Sequence, residues 1–380
     1  MLKNYNCRLK FEYRRIEYSI LFSSLPFMSM SNISQVLIRN SKLLSANTPL
    51  FINLIEDGFI TDYQQNYPEA NITCYNTNFI DYLAISDKHK NQIHTLFTSE
   101  YNNEVKHDLV VINFPKSKDE LAFTLAMIAP YLLTDAKIIL VGEKKGGVQS
   151  SPKLTEHFLT SCQKIDAARH CLLFGGIVKT KENESKAFTI ENWYKEYQIS
   201  ISGIELTIAS LPGVFSQKKL DIGTALLLDN LPQSMQGKVL DFGCGAGVIS
   251  CFIGKKFSNT DLSLLDVSAL AIASAKRTLA LNGLTGNVFA SNSLSNVDES
   301  YQHIVSNPPF HQGTKTSYQA TEDFLRGIKK HLIATKQKNS DITIVANSFL
   351  QYMPIMQQHI GNSRTIATKQ GFNIYYHHQD

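Results

Sequence analysis

"VLDFGCGAGVIS", residues Val239–Ser250, runs from an apolar stretch into three closely spaced glycines and out into a second apolar stretch. The first part reads as a buried strand, the glycines as a sharp turn and the last part as the start of a helix. Asp241, Gly243, Gly245 and Gly247 spell D-x-G-x-G-x-G. Glycine lets the chain turn sharply while its backbone comes close to a ligand. The dinucleotide fingerprint asks for G-x-G-x-x-G with a pyrophosphate on the helix N-terminus. Here the third glycine comes one residue early, and no Lys-Ser/Thr pair follows as in a phosphate loop. The spacing therefore disfavours a phosphate cradle.

Downstream, "TDLSLLDVS" is a second apolar strand that ends at Asp266, nineteen residues past Gly247. A carboxylate at that strand end can accept both hydroxyls of a ribose. A glycine-rich turn followed by a distal acid points to a nucleoside cofactor at the C-terminal edge of a parallel sheet. "ALAIASAKRTLALNG" has helical spacing and stops at Gly283. "NVFASNS", "HIVSNPPF" and "DITIVANSF" read as three more strands, with "TEDFLRGIKKHL" a helix between the last two. Alternating strands and helices imply a parallel sheet with right-handed crossovers. "RTIATKQGFNIYYHH" reads as a hairpin around Gly371, so an antiparallel strand finishes the sheet.

The N-terminal half looks like a faded copy. "DLVVINFPK" resembles "HIVSNPPF", a helical segment follows it, and "AKIILVG" stands where "DITIVAN" stands later. About 60 residues upstream of Asn113 lies "LFINLIEDG", as "VLDFGCGAG" lies upstream of Asn307. The first copy has one glycine where the second has three, and its "NFPK" lacks the second proline and the ring. It is expected to be a binding or scaffolding domain. Residues 142–200 are rich in Gly, Ser and charge and read as solvated connections around a helical stretch.

With 380 residues, of which 43% are apolar, the chain can fill two cores. A formal net charge of +4 permits an anionic partner without demanding one. None of the six cysteines forms a CxxC pair, which disfavours structural zinc and a disulfide framework, and scattered thiols fit a reducing cytoplasm. No apolar run is long enough to span a bilayer. The first 27 residues, with Lys3, Arg8, Lys10, Arg14 and Arg15 ahead of "ILFSSLPF", read as an extension that is disordered or lies upstream of a true start at Met28 or Met30.

D-x-G-x-G-x-G, a strand-end acid and then N-P-P-F resemble the class I S-adenosylmethionine-dependent methyltransferases. More narrowly, "VLDFGCGAGVIS", "FASNSLS", "SNPPFHQG" and "LPGVFSQKKLDIGTALLL" look like the ribosomal RNA small subunit methyltransferase C family. The likeness is weak through the first half and strong from Leu211 onward. It implies an α/β chain of two tandem Rossmann-like methyltransferase domains, the N-terminal one degenerate. Residues 28–190 would be the degenerate domain, 191–210 a linker and 211–380 the catalytic domain.

The resemblance implies S-adenosyl-L-methionine as cofactor and the exocyclic N2 of one guanine in 16S rRNA as target. Gly243, Gly245 and Gly247 would lie under the methionine and ribose, Asp241 near the methionine ammonium, Asp266 on the ribose hydroxyls and Asn292 facing adenine. Phe215, Asp221 and Thr224 would close over the cofactor, or serve only as linker and helix cap. The expected partner is small-subunit rRNA or the assembled subunit, met by a monomer with no metal and no membrane.

"SNPPFHQG", Ser306–Gly313, gives the chemistry. A guanine amine is a poor nucleophile because its lone pair is delocalised into the ring. Two acceptors on its N–H groups return electron density to nitrogen. The Asn307 side-chain oxygen is one. The Pro308 carbonyl is the other, held by its own locked φ and by Pro309 after it. Phe310 would stack on the base, worth about 1–3 kcal/mol. His311 reads as a loop histidine rather than a base. The basic stretches with Lys144 and Lys145, and with Lys329, Lys330, Lys336 and Lys338, read as solvated faces. Two alternatives stay open: a guanine-N2 methyltransferase of 23S rRNA, and a non-catalytic RNA-binding assembly factor. A nicotinamide oxidoreductase is disfavoured by the glycine spacing.

Overall fold

The apolar runs in each half assemble into a seven-stranded sheet, and the two sheets have the same strand order. The computed structural model describes residues 30–179, 188–217, 219–308, 315–333, 340–350 and 352–379. In the first sheet the strands are β1 (Pro49–Ile52), β2 (Thr73–Asn76), β3 (His94–Phe97), β4 (His107–Asn113), β5 (Leu132–Glu143), β6 (Leu159–Ala168) and β7 (Cys171–Val178), in the order β3-β2-β1-β4-β5-β7-β6. A hairpin follows, β8 (Lys195–Ile201) and β9 (Ile204–Ser210).

The second sheet is β10 (Gly237–Phe242), β11 (Thr260–Asp266), β12 (Asn287–Ala290), β13 (His303–Ser306), β14 (Ser340–Asn347), β15 (Ser363–Lys369) and β16 (Phe372–Gln379), in the order β12-β11-β10-β13-β14-β16-β15. In both sheets the first five strands in the order pair parallel, and the sixth, β7 or β16, pairs antiparallel to the strands on either side of it. β1 is buried throughout and β10 from Val239 to Phe242, as a sheet covered on both faces requires, with Asp241 the one polar residue in that buried run.

Two stretches differ from the sequence expectation. Residues 142–200 are not mainly connections, because β6 and β7 complete the first sheet there. β6 is an edge strand, largely exposed and without a clean apolar alternation, so its sequence carries no strand pattern. The 191–210 linker contains the β8–β9 hairpin, and β9 is bonded to the helix Ala269–Leu281 of the second half. Ala209 N–H donates to Thr278 Oγ1 at 3.1 Å and Leu211 N–H to Ser274 Oγ at 3.0 Å.

The halves share one apolar cluster, which runs from Leu50, Ile112 and Phe123 through Leu206, Leu211 and Leu227 to Ile249 and Ala275. They also meet at equivalent points. Phe79 N–H donates to the Val267 carbonyl and Ala269 N–H to the Thr77 carbonyl, each at 2.8 Å. Thr77–Phe79 follows β2 and Val267–Ala269 follows β11, so each segment does for the other what the other does for it. This reciprocity marks a local two-fold relation between the copies.

Candidate functional site

β10 delivers the glycine bend. Gly243, Gly245 and Gly247 have φ of 73°, 52° and 78°, conformations that cost other L-residues about 1–2 kcal/mol each. A Cβ at Gly247 would meet Ala275 at 3.1 Å, because the bend packs tightly on the neighbouring helix. A Cβ at Gly245 would meet nothing within 4 Å. One side of the bend is therefore closed against protein and the other is open.

Asp266 at the end of β11 reaches the bend. Its Oδ2 accepts from Gly245 N–H at 3.0 Å and its Oδ1 from Ser268 N–H at 2.9 Å. Burial raises its pKa, and the N–H groups of Ser268, Gly245 and Val267 partly offset that. Asp241 sits beneath the bend and is fully buried. Its Oδ2 accepts from Ser250 Oγ at 2.8 Å and Ser250 N–H at 3.2 Å, while Oδ1 has no partner among the described residues. Burial pushes its pKa up to about 7 despite the Ser250 bonds. Ser250 was not singled out from the sequence, although it lies one helical turn beyond the bend.

Asn292 follows β12 and is exposed. Ser291 N–H donates to the Asp266 carbonyl at 3.2 Å, which brings this segment beside the strand-end acid. Phe215 is 57% exposed on the loop that leads to the helix Ile222–Asp229.

β13 runs beside β10 and ends one residue before Asn307. The Asn307 Nδ2 donates to Thr224 Oγ1 at 2.8 Å and to Asp221 Oδ2 at 3.2 Å. Asp221 is also the N-cap of the Ile222–Asp229 helix, accepting from Thr224 N–H at 2.9 Å. The structure thus puts Asp221 and Thr224 in direct contact with Asn307, a link between residues 86 and 83 positions apart that no local pattern announces. Pro308 is buried. Pro309, Phe310 and His311 lie outside the described residues, as do the 1–27 extension, Lys336 and Lys338.

Behind the site, Phe324 stacks on Phe242 with ring centroids 3.9 Å apart, which anchors the helix Lys315–Gly327 under β10. Lys144 and Lys145 are exposed in the first half, and Lys329 and Lys330 in the second. Among the described residues no helix is long and apolar enough to cross a membrane, and no His/Cys/Asp/Glu group is arranged to hold a metal.

Two family models match. The methyltransferase small domain covers residues 205–376, and the methyltransferase small domain N-terminal covers residues 34–197. The ribosomal RNA small subunit methyltransferase C of Colwellia psychrerythraea is 64% identical over 353 residues, 92% of this chain and 98% of that protein. Its counterpart in Psychromonas ingrahamii is 40% identical, over 92% and 98% of the two chains. A solved T. thermophilus 16S rRNA N2 guanine methyltransferase, in complex with AdoMet and guanosine, shares the fold with a TM-score of 0.76. It is 18% identical, over 92% of each chain.

Proposed function

The chain belongs to the ribosomal RNA small subunit methyltransferase C family, and on that premise we propose that it methylates the exocyclic N2 of a guanine in 16S rRNA with S-adenosyl-L-methionine. The observation that carries this reading is the placement of Asn307. It stands at the end of β13, next to the strand that delivers the glycine bend, with its amide nitrogen already engaged. An amide held by its nitrogen presents its oxygen as an acceptor.

The residues present fit the cofactor. The bend is open on the Gly245 side, and a buried carboxylate oxygen of Asp241 lacks a partner beneath it. When bound, the cofactor supplies an electrophilic methyl group on a sulfonium. Gly243, Gly245 and Gly247 would form the bed for its methionine and ribose. Asp266 would take the ribose hydroxyls, Asn292 would face the adenine, and Phe215 would close the loop over it. Asp241 would complement the methionine ammonium from below. Thr224, also expected to close over the cofactor, accepts from Asn307 Nδ2 at 2.8 Å.

Asn307 Oδ1 and the Pro308 carbonyl would each accept one N–H of the guanine amine. That localises the lone pair on nitrogen and turns it toward the methyl carbon. Phe310 would stack on the base after the base has left its helix, a step that costs a few kcal/mol. Pro309 would keep Pro308 extended. The nitrogen becomes acidic only after it gains the methyl, so the site needs acceptors and alignment rather than a strong base. Positioning of this kind supplies much of the rate in a two-substrate reaction. One chain already holds both halves of the paired unit, which supports action as a monomer on cytoplasmic small-subunit rRNA or the assembled subunit.

The test is label transfer from S-adenosyl-L-methionine to small and large subunits that lack the modification, followed by nucleoside mapping. N2-methylguanosine in 16S rRNA is the expected product. Label on large subunits alone would overturn the assignment.

A further inference from the structure

Asn307 works only if its amide is the right way round. Oxygen and nitrogen of an asparagine amide exchange places by a half-turn about one bond, at little cost in a free side chain. The flipped rotamer would aim an N–H at the guanine amine, a donor against a donor, and withdraw the acceptor that the chemistry needs. Something must therefore hold the choice.

We infer that Asp221 and Thr224 are positioning residues that fix the orientation of the Asn307 amide and thereby license the transfer step. This rests on the proposed methyltransferase reading. Asp221 Oδ2 lies 3.2 Å from the amide nitrogen and a carboxylate only accepts, so the flipped rotamer would set two oxygens against each other. Thr224 Oγ1 accepts from the same nitrogen at 2.8 Å, and its own proton faces Asp221 Oδ2 at 3.4 Å. The Thr224 hydroxyl is thus set as acceptor toward Asn307 by the carboxylate behind it. Asp221 is itself fixed, because it caps a helix whose residues Gly223, Thr224 and Leu226–Leu228 are buried. The three side chains form a relay that starts at a rigid helix end and finishes at the amide. Neither Asp221 nor Thr224 needs to touch the base.

The first copy isolates the point. Asn113 holds the position of Asn307, but its Nδ2 donates to the Asn53 backbone carbonyl at 3.0 Å instead. Among the described residues, the carboxylate–hydroxyl pair serves the second-copy asparagine alone.

The experiment compares Thr224→Val, Thr224→Ser, Asn307→Ala and the Thr224→Val/Asn307→Ala double variant. Label transfer to unmodified small subunits gives kcat and KM, calorimetry gives cofactor affinity, and thermal melts report folding. Thr224→Val keeps the shape and removes the acceptor. It is expected to lower kcat by about 100-fold, the scale of a misplaced reacting group. KM for the subunit and cofactor affinity should change by less than about threefold. Thr224→Ser should return most of the rate. The double variant should be no slower than Asn307→Ala, because both changes disable one unit. An unchanged kcat in Thr224→Val, or additive losses in the double variant, would overturn the inference. So would a loss confined to cofactor affinity, which would make Thr224 a cofactor contact. If the wild-type protein transfers no label to small subunits, the functional reading fails and the positioning role fails with it. If the wild type transfers label and only the variant pattern departs, the positioning role alone is wrong.

Discussion

The two sheets have the same plan and opposite chemistry. Their strand registers align Ile52 with Phe242 and Ile112 with Ser306, so the copies can be compared residue by residue. Where the second copy has Gly243, the first has Asn53. Asn53 also takes a positive φ, 54°, and its N–H donates to the Tyr75 carbonyl as Gly243 N–H donates to the Leu265 carbonyl. The first turn of the bend survives without its glycine, in a residue type that tolerates the left-handed region.

Where the second copy has Asp241, the first has Phe51, whose ring packs edge-on against Phe59 and Tyr63. Where the second has Asp266, the first has Asn76, which donates to the Leu54 carbonyl at 2.8 Å. A buried carboxylate has become an aromatic core, and the strand-end acid has become a structural amide. The difference lies in charge: the second copy has two carboxylates along the bend, where the first has a ring and an amide bonded to its own backbone.

The comparison breaks most visibly at the asparagines. Asn307→Ala should reduce label transfer by about 10²–10³-fold, the usual loss when one preorganised hydrogen-bonding group is removed. Asn113→Ala should leave kcat within twofold and cost only the bond to Asn53, about 1 kcal/mol in thermal or denaturant unfolding. Equal losses of activity in the two variants would mean that the first copy is not a scaffold.

Next in size are the glycines at the helix starts. Gly247→Ala places a methyl 3.1 Å from Ala275 at a φ of 78° and should cost about 1–2 kcal/mol. It should also weaken cofactor binding by calorimetry. Gly58→Ala, at a φ of 105° with only the Met30 side chain 3.5 Å away, should cost stability alone. Unchanged cofactor affinity in Gly247→Ala would remove the bend from the binding site.

The smallest effect is a slope. Burial holds Asp241, and Glu120 on the first-half helix Lys118–Ile128, at about 7, well above an ordinary carboxyl. A carboxyl raised on folding stabilises the protein at low pH, and that contribution is lost as pH rises from about 4 through about 7. The ligand-free protein should therefore melt at lower temperature as pH climbs through this window. Asp241→Asn should flatten the second copy's share of the slope, whereas Phe51, its first-copy counterpart, cannot titrate. Melting temperatures from pH 5 to 8 check this, and a slope unchanged by Asp241→Asn would show that its proton is not coupled to folding.

Much of this plan is legible in the sequence. Val239–Ser250 announces strand, bend and helix because the signal is local: apolar period, then glycines. Asp266 and Asn307 are legible because strand ends follow from the same runs, and the second-sheet hairpin because Gly371 punctuates it. β6 escapes because an edge strand need not alternate. The Asp221–Thr224–Asn307 contact escapes for another reason. Asp221 and Thr224 already satisfy a helix cap, and a capping pattern explains both residues without a distant partner. The pairing of Thr77–Phe79 with Val267–Ala269 escapes because main-chain bonds between loops leave no mark on side-chain identity.

That last pairing has a consequence for the integrity of the chain. The backbone of the first half is stitched to the residues that immediately follow Asp266 in the second half. Excising the first half would strip those residues of their main-chain partners and expose the apolar cluster the halves share. The first half therefore supports the second through its main chain, whatever its side chains do.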